Sequence, residues 1–208
     1  MTEARFITFE GGEGAGKSTQ VRLLGDALTA RGISHVVTRE PGGTPGAEAL
    51  RGLLLDPAHD WNARAEALLF AAARADHVAN LIRPALAEGK WVLCDRFVDS
   101  SRAYQGGAGA LGDEQIMALH AIGSDGFLPH RTFLFELDAH EAASRAATRD
   151  AGNGDRIGGR DAAYHAEVAR RFRELAEAEP KRFVPIAAAG SPNDVHGRVL
   201  AALADYLP

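Results

Sequence analysis

The chain has 208 residues, 46% of them hydrophobic and 25% charged, with a formal net charge of −5. That length suits one domain with a substantial core and is short for two of average size. The acidic balance argues against a broad surface for a nucleic-acid polymer, which needs clustered Lys and Arg, but leaves room for a single nucleotide held by a local positive cluster. Cys94 is the only cysteine, so neither an intramolecular disulfide nor a Cys-rich metal site is expected. There is no signal-peptide pattern and no apolar run of membrane-spanning length, so a reducing cytoplasm is the simplest expectation.

In chain order, Arg5 to Glu10 is a short β-rich run stopped by Gly11-Gly12, which reads as a buried strand. From Lys17 to about Ala30, Val21, Leu23, Leu24, Ala27 and Leu28 recur at helical spacing until Gly32 supplies a stop. His35 to Thr38 reads as a second strand. Thr44 as N-cap and Pro45 at the first helical position open a helix through Leu54. A long Ala-rich helix is expected from about Arg64 to Glu88, with a kink at Pro84. Lys90 to Asp95 is the third strand and Arg131 to Leu137 the fourth. Asp138 to Glu141 resembles a capping box, Arg182 to Ile186 reads as a fifth strand, and Ser191-Pro192 starts the last helix. Strands alternating with helices imply an α/β fold: a parallel sheet of about five strands with helices on both faces. The Gly-rich stretch from Asp150 to Gly159 reads as a loop inside one domain spanning 1–208, not as a linker.

Gly11, Gly12, Glu13, Gly14, Ala15, Gly16, Lys17 and Ser18, followed by Thr19, fit the phosphate-binding pattern G-x-x-x-x-G-K-[ST]. Glycines let the backbone turn so that successive N–H groups face phosphate oxygens, and the following helix offers its positive end to the same anion. Lys17 adds a full charge at the β/γ-phosphates of ATP, and the Ser18 hydroxyl suits a Mg²⁺ ion. A Gly-rich turn that binds nothing is the bland alternative, but a strand before and a helix after supply the context the motif requires. Val92-Leu93-Cys94-Asp95, an apolar strand ending in a carboxylate, is where a second Mg²⁺ contact would come from. Cys94 itself reads as core filler.

Four further clusters bear on the acceptor: Thr38-Arg39-Glu40-Pro41-Gly42-Gly43-Thr44; Leu69 to Arg74; Asp95-Arg96-Phe97 with Ser100 to Gly107; and Arg145, Arg149, Arg156 and Arg160 around the Gly-rich stretch. In this order they resemble the thymidylate kinase (dTMP kinase) family, over nearly the whole chain. The P-loop glutamate together with arginines in the later loop resembles its bacterial branch. The resemblance implies ATP as donor, dTMP as acceptor, Mg²⁺ and homodimerisation. It gives Phe70 to stacking on the base and Arg74 to a ring carbonyl; these two are four apart on a helix and share a face. Alone, they would read as core and solvated charge. It gives Glu13 to the acceptor's 3′-hydroxyl, Arg96 to a bridge between acceptor phosphate and transferring group, and Arg39 to the acceptor phosphate. Arg51 is a weaker phosphate candidate that reads equally as a surface charge. Ser101 and Tyr104, three apart on the helix expected after Asp95-Arg96, fall with Gln105 to the base and sugar, with Tyr104 crowding the 2′ position, although a core aromatic fits Tyr104 as well.

Residues 145–160 carry four Arg and two Asp in an acidic protein, which suits a lid closing over ATP. Arg149 and Arg156 are the expected catalytic arginines, a solvated loop being the bland reading. Two departures stand out: Gly158 where the family often has Glu, and Ile186 to Ala189 without the aspartate often found there. The competing readings are another nucleoside-monophosphate kinase, for uridylate, cytidylate or adenylate, and a regulatory P-loop protein with no small-molecule acceptor.

Overall fold

A computed structural model describes residues 3–138, 141–142, 144–145 and 156–207. Its strands are β1 (Phe6–Gly11), β2 (His35–Arg39), β3 (Trp91–Asp95), β4 (Arg131–Glu136) and β5 (Phe183–Ala187), in one parallel sheet ordered β2-β3-β1-β4-β5. β1 is central and buried along its whole length, Thr8 and Glu10 included. Alternate residues serve opposite faces. Ile7, Phe9, Leu93, Phe133 and Phe135 pack under α1 (Lys17–Ala30) and the C-terminal helix, through Val21, Leu24, Leu28, Val195 and Val199. Phe6, Val92 and Cys94 face the other way, against Val78, Ile82, Ala85 and Phe97. Each such large side chain, fully buried, contributes roughly 1.5–3 kcal/mol. No described helix is long and apolar enough to cross a membrane.

α2 (Pro45–Leu55) starts as expected, with the Thr44 side chain accepting from the Ala47 N–H and Pro45 in the first turn. The long Ala-rich helix is α3 (Ala63–His77), a π-helical segment Val78–Ile82, and α4 (Arg83–Ala87). The expected break at Pro84 therefore takes the form of a widened turn just before it, because proline has no N–H for the carbonyl one turn back. After β3 come α5 (Val98–Ser101) and a second π-helical segment, Arg102–Ala108, so Ser101 and Tyr104 do not share a regular α-helix.

Two helices had no counterpart in the sequence reading. α6 (Asp113–Ser124) buries Ile116, His120 and Ser124, a face too polar to read as an apolar stripe. α7 (Ala162–Ala178) is capped by Asp161, which accepts from the Tyr164 N–H, and buries only Val168, Phe172 and Leu175 in a charged run. At the expected capping box, the Asp138 carboxylate accepts from the Glu141 N–H at 3.3 Å; Ala139 and His140 lie outside the described residues. α8 (Pro192–Ala201) opens on a reciprocal Ser191/Asp194 capping box. Pro185 is tolerated in β5 because that strand is an edge.

Candidate active site

The loop from Gly11 to Gly16 joins the C-terminal end of central β1 to the N-terminus of α1. Gly11, at φ 133°, is required by close approach: a Cβ there would sit 2.5 Å from the Phe135 carbonyl oxygen. Gly16 precedes the helix at φ 84°. Lys17 is buried, its Nζ donating to the carbonyls of Gly11 (3.0 Å) and Gly12 (2.7 Å). Burial, and then the Arg96 guanidinium, hold its ammonium down to about 8 against the opposing pull of Asp95, Glu13 and Glu10.

Ser18 Oγ donates to Asp95 Oδ2 at 2.6 Å, across the register that pairs Phe9 with Asp95. A hydroxyl and a carboxylate are hard oxygen donors, and no cluster of three or more His, Cys, Asp or Glu ligands occurs among the described residues. This donor set fits Mg²⁺, which takes one or two protein ligands and completes its shell with water and phosphate oxygens. Cys94, buried beside it, has its thiol pushed well up by burial, as suits core filler.

Two cavities flank the cradle. The larger, about 340 Å³, lies between α2, α3 and the turn after β3. Among its lining residues are Glu13, Ser18, Asp95 and Arg96 at the cradle end, with Arg39 and Arg51 on one side. Phe70, Arg74, Ser101, Tyr104 and Gln105 line the remainder, so every acceptor residue expected from sequence meets here. Arg96 is central. Its backbone is left-handed, φ 70°, in a residue that rarely adopts this. Its guanidinium donates to Glu13 (2.6 Å), Ser100 Oγ (3.0 Å), the Gly11 carbonyl (3.2 Å) and Tyr104 OH (3.3 Å). Arg39 pairs with Glu48 at 3.0 Å, and Arg51 donates to the Pro41 carbonyl at 2.7 Å.

The second cavity, about 300 Å³, lies on the other side of the loop, with Gly14, Ala15, Gly16 and Thr19 in its wall opposite Arg145 and Gly190. Among the described arginines of 145–160, Arg145 lines this second cavity. Arg156, named with Arg149 as an expected catalytic arginine, donates to Glu66 Oε2 at 2.6 Å and to the Leu54 carbonyl at 3.0 Å. A buried carboxylate needs a cationic partner, and Glu66 holds both Arg156 and Arg160. Arg149, like the rest of 146–155, lies outside the described residues.

Glu10, Glu40 and His77, like Glu66, organise these residues and were given no role in the sequence reading. Glu10, fully buried, accepts from the Phe97 N–H (2.7 Å) and Ser100 Oγ (2.6 Å), pinning the turn that carries Arg96. Burial, then Asp99, push its carboxyl up to about 8. Glu40 accepts from Arg74 Nε (2.8 Å) and shares a hydrogen bond with His77 Nδ1 (3.0 Å), whose Nε2 meets Thr38 Oγ1 (2.8 Å). Burial raises Glu40, but Arg74 and His77 outweigh it and hold the carboxyl below its ordinary range. The signal for Glu40 lay inside the Thr38–Thr44 cluster; nothing local marked Glu10.

A phosphate cradle on a parallel sheet, with a Ser/Asp oxygen pair at its mouth and an aromatic, arginine-lined cavity on one side, defines a P-loop nucleoside-monophosphate kinase. The thymidylate kinase family model matches residues 9–199. A thymidylate kinase of Rhizorhabdus wittichii is 61% identical over 98% of this chain and 99% of its own length, and one of Bradyrhizobium diazoefficiens is 47% identical over 98% and 90%. The crystal structure of thymidylate kinase from Ehrlichia chaffeensis superposes with a TM-score of 0.74 at 32% identity, covering 96% of this chain and 98% of that one. The chain belongs to the thymidylate kinase family.

Proposed function

We propose that this site transfers the γ-phosphoryl of ATP to the 5′-phosphate of dTMP, giving dTDP and ADP, with the residues gathered around the larger cavity holding the acceptor. The observation that carries the reading is one continuous cavity running from Ser18, Asp95 and Arg96 at the cradle to Phe70, Arg74 and Tyr104 at its far end. A flat ring, a guanidinium and a second aromatic suit a pyrimidine and its deoxyribose, while the cradle end suits the reacting phosphates. ATP occupies the cradle and the smaller cavity, with its tail toward Arg145 and Gly190.

Little covalent chemistry falls to the protein, so catalysis is positioning plus charge stabilisation. Lys17 and the loop N–H groups hold the β- and γ-phosphates. Arg96 spans acceptor phosphate and transferring group, Arg39 and Arg51 add charge on the acceptor side, and Glu13 takes the 3′-hydroxyl. Ser18 and Asp95 would hold Mg²⁺, which when bound supplies charge neutralisation between the phosphates. Of the arginines in 145–160, Arg149 and Arg156 are the candidates for charge on the group in flight, Arg156 by leaving Glu66. The enzyme is proposed to act in the cytoplasm as a homodimer; the exposed Leu68 on α3 and Ile122 on the adjacent α6 support a self-associating face. A panel of nucleoside monophosphates in a coupled ADP-release assay tests the reading. dTMP should lead; a preference for UMP, CMP or AMP refutes it.

A further inference from the structure

Glu66 is a buried acid to which the proposed chemistry gives no task. It stands on α3 one turn before Phe70, its side chain 2% exposed. Its Oε2 takes Arg156 and Arg160, both at 2.6 Å, and its Oε1 takes Gln105 Nε2 at 2.8 Å. A carboxylate held by two guanidiniums accepts hydrogen bonds and donates none. The half of the Gln105 amide that faces it is therefore the NH₂ half, whatever the usual ambiguity of amide orientation. The amide is planar, so its oxygen is turned away from Glu66. Gln105 lines the acceptor cavity, and with one Nε2 hydrogen committed to α3 its amide cannot flip, so Oε1 and the second N–H keep fixed places.

We infer that Glu66 is a positioning residue for base selection: it locks the Gln105 amide with its oxygen toward the acceptor's base. This rests on the reading that the base lies between Phe70, Arg74 and Gln105. Arg74 can only donate, and the Gln105 Oε1, so placed, can only accept. Together they complement a pyrimidine with a carbonyl at position 4 and a hydrogen on N3. A cytosine offers the reverse, an amino group to Arg74 and a bare N3 to the amide oxygen, so it meets two mismatches at once. A site built to pair polar groups in this way rejects the wrong partner by leaving buried groups unpaired. The same carboxylate fastens Arg156 and Arg160 on either side of Ile157, which also lines the cavity, so the base wall and the end of the 145–160 segment share one anchor.

Replacing the carboxylate by an amide, Glu66→Gln, lets residue 66 donate as well as accept and frees Gln105 to turn. The experiment measures kcat/KM for dTMP and for dCMP in the wild type, Glu66→Gln, Glu66→Asp, Gln105→Leu and the Glu66→Gln/Gln105→Leu double variant. The expected result is a wild-type preference for dTMP that falls about tenfold or more in Glu66→Gln, through KM for the acceptor with KM for ATP unmoved. Glu66→Asp should keep most of the preference, and Glu66→Gln should have no further effect on it once Gln105 is Leu. A wild type indifferent between dTMP and dCMP overturns the acceptor reading itself. A wild-type preference that survives Glu66→Gln, or falls equally with and without Gln105, overturns the role of Glu66 alone. If Glu66→Gln does not fold, a crystal structure of the wild type with dTMP decides: Gln105 bonded to both Glu66 and base N3 upholds the inference, and loss of either bond overturns it.

Discussion

Lys17 is held against its own chemistry in the free protein, and Lys17→Met should expose this. Holding the ammonium at about 8, where a free lysine titrates near 10.5, corresponds to roughly 3 kcal/mol of stability withheld at neutral pH. The substitution keeps the apolar stem and removes the charge. It also removes the donor to the Gly11 and Gly12 carbonyls, a loss of about 1 kcal/mol each. The net expectation is a ligand-free variant more stable than wild type by about 1–2 kcal/mol at pH 7, or roughly 3–6 °C in Tm for a chain of this size. Phosphoryl transfer should meanwhile be nearly abolished. The folded protein binds fewer protons than the unfolded chain between about pH 8 and 10.5, so wild-type stability rises across that window and the variant lacks this rise. The gap is therefore full below pH 8 and closes above it. Glu10 acts in a separate window: its carboxyl is raised, so its contribution is present below the ordinary carboxylate range and is lost as pH climbs through about 8. Thermal or urea unfolding of both proteins at pH 7, 8 and 10, with and without ADP, is the assay, and ADP should stabilise the wild type far more than the variant. A ligand-free variant less stable than wild type at pH 7, or a gap that does not narrow by pH 10, refutes the argument.

Phe70→Ala should weaken dTMP binding by about 10- to 100-fold, the range expected for loss of one base–aromatic stack, and leave ATP binding nearly unchanged. Calorimetric titration of each ligand separately checks this, and equal weakening of both would assign Phe70 to packing. Tyr104→Phe should keep the preference for dTMP over its ribo counterpart, because the ring supplies the bulk, whereas Tyr104→Ala should relax it; a wild type indifferent to the 2′-hydroxyl sinks this idea. Asp95→Asn should raise the Mg²⁺ concentration needed for half-maximal rate by about tenfold while leaving the Kd for dTMP alone. An unchanged Mg²⁺ titration would remove Asp95 from the metal site.

The elements legible from sequence were those with punctuation. Gly11 ends β1, Gly32 ends α1, Thr44-Pro45 opens α2 and Ser191-Pro192 opens α8, and each does so for the reason its residue type suggests. The two helices that were not legible lack either a cap or an apolar stripe. α6 follows Gly112 with no side-chain cap and hides His120 and Ser124 beside Ile116, so its buried face is mostly polar. α7 has its cap at Asp161, but three buried apolar residues among seventeen make a thin signal. The site divides in the same way. Phe70 and Arg74 could be placed on one face from their spacing, but the roles given to them came from the family resemblance. Glu10, Glu40 and Glu66 were given no role, because each takes its meaning from a partner 34 to 94 residues away.

Those distant acids mark which cations are fixed and which can exchange partners. Arg74 and Glu40 are both buried, with side chains 4% exposed, and a ligand that displaced one would strand the other's charge, which costs several kcal/mol. Arg74 therefore keeps Glu40 throughout and offers a ligand only the N–H groups left over. Arg96 and Glu13 are 17% and 30% exposed at the mouth of the cradle, where water can compensate whichever group is released. On the proposed reading, an incoming phosphate takes Arg96 from Glu13 at small cost. What stays fixed at Arg96 is its backbone, held left-handed by a turn that Glu10 anchors through Phe97 and Ser100. The direction of that guanidinium is thus set by the core, while its partner is left to be chosen by the substrate.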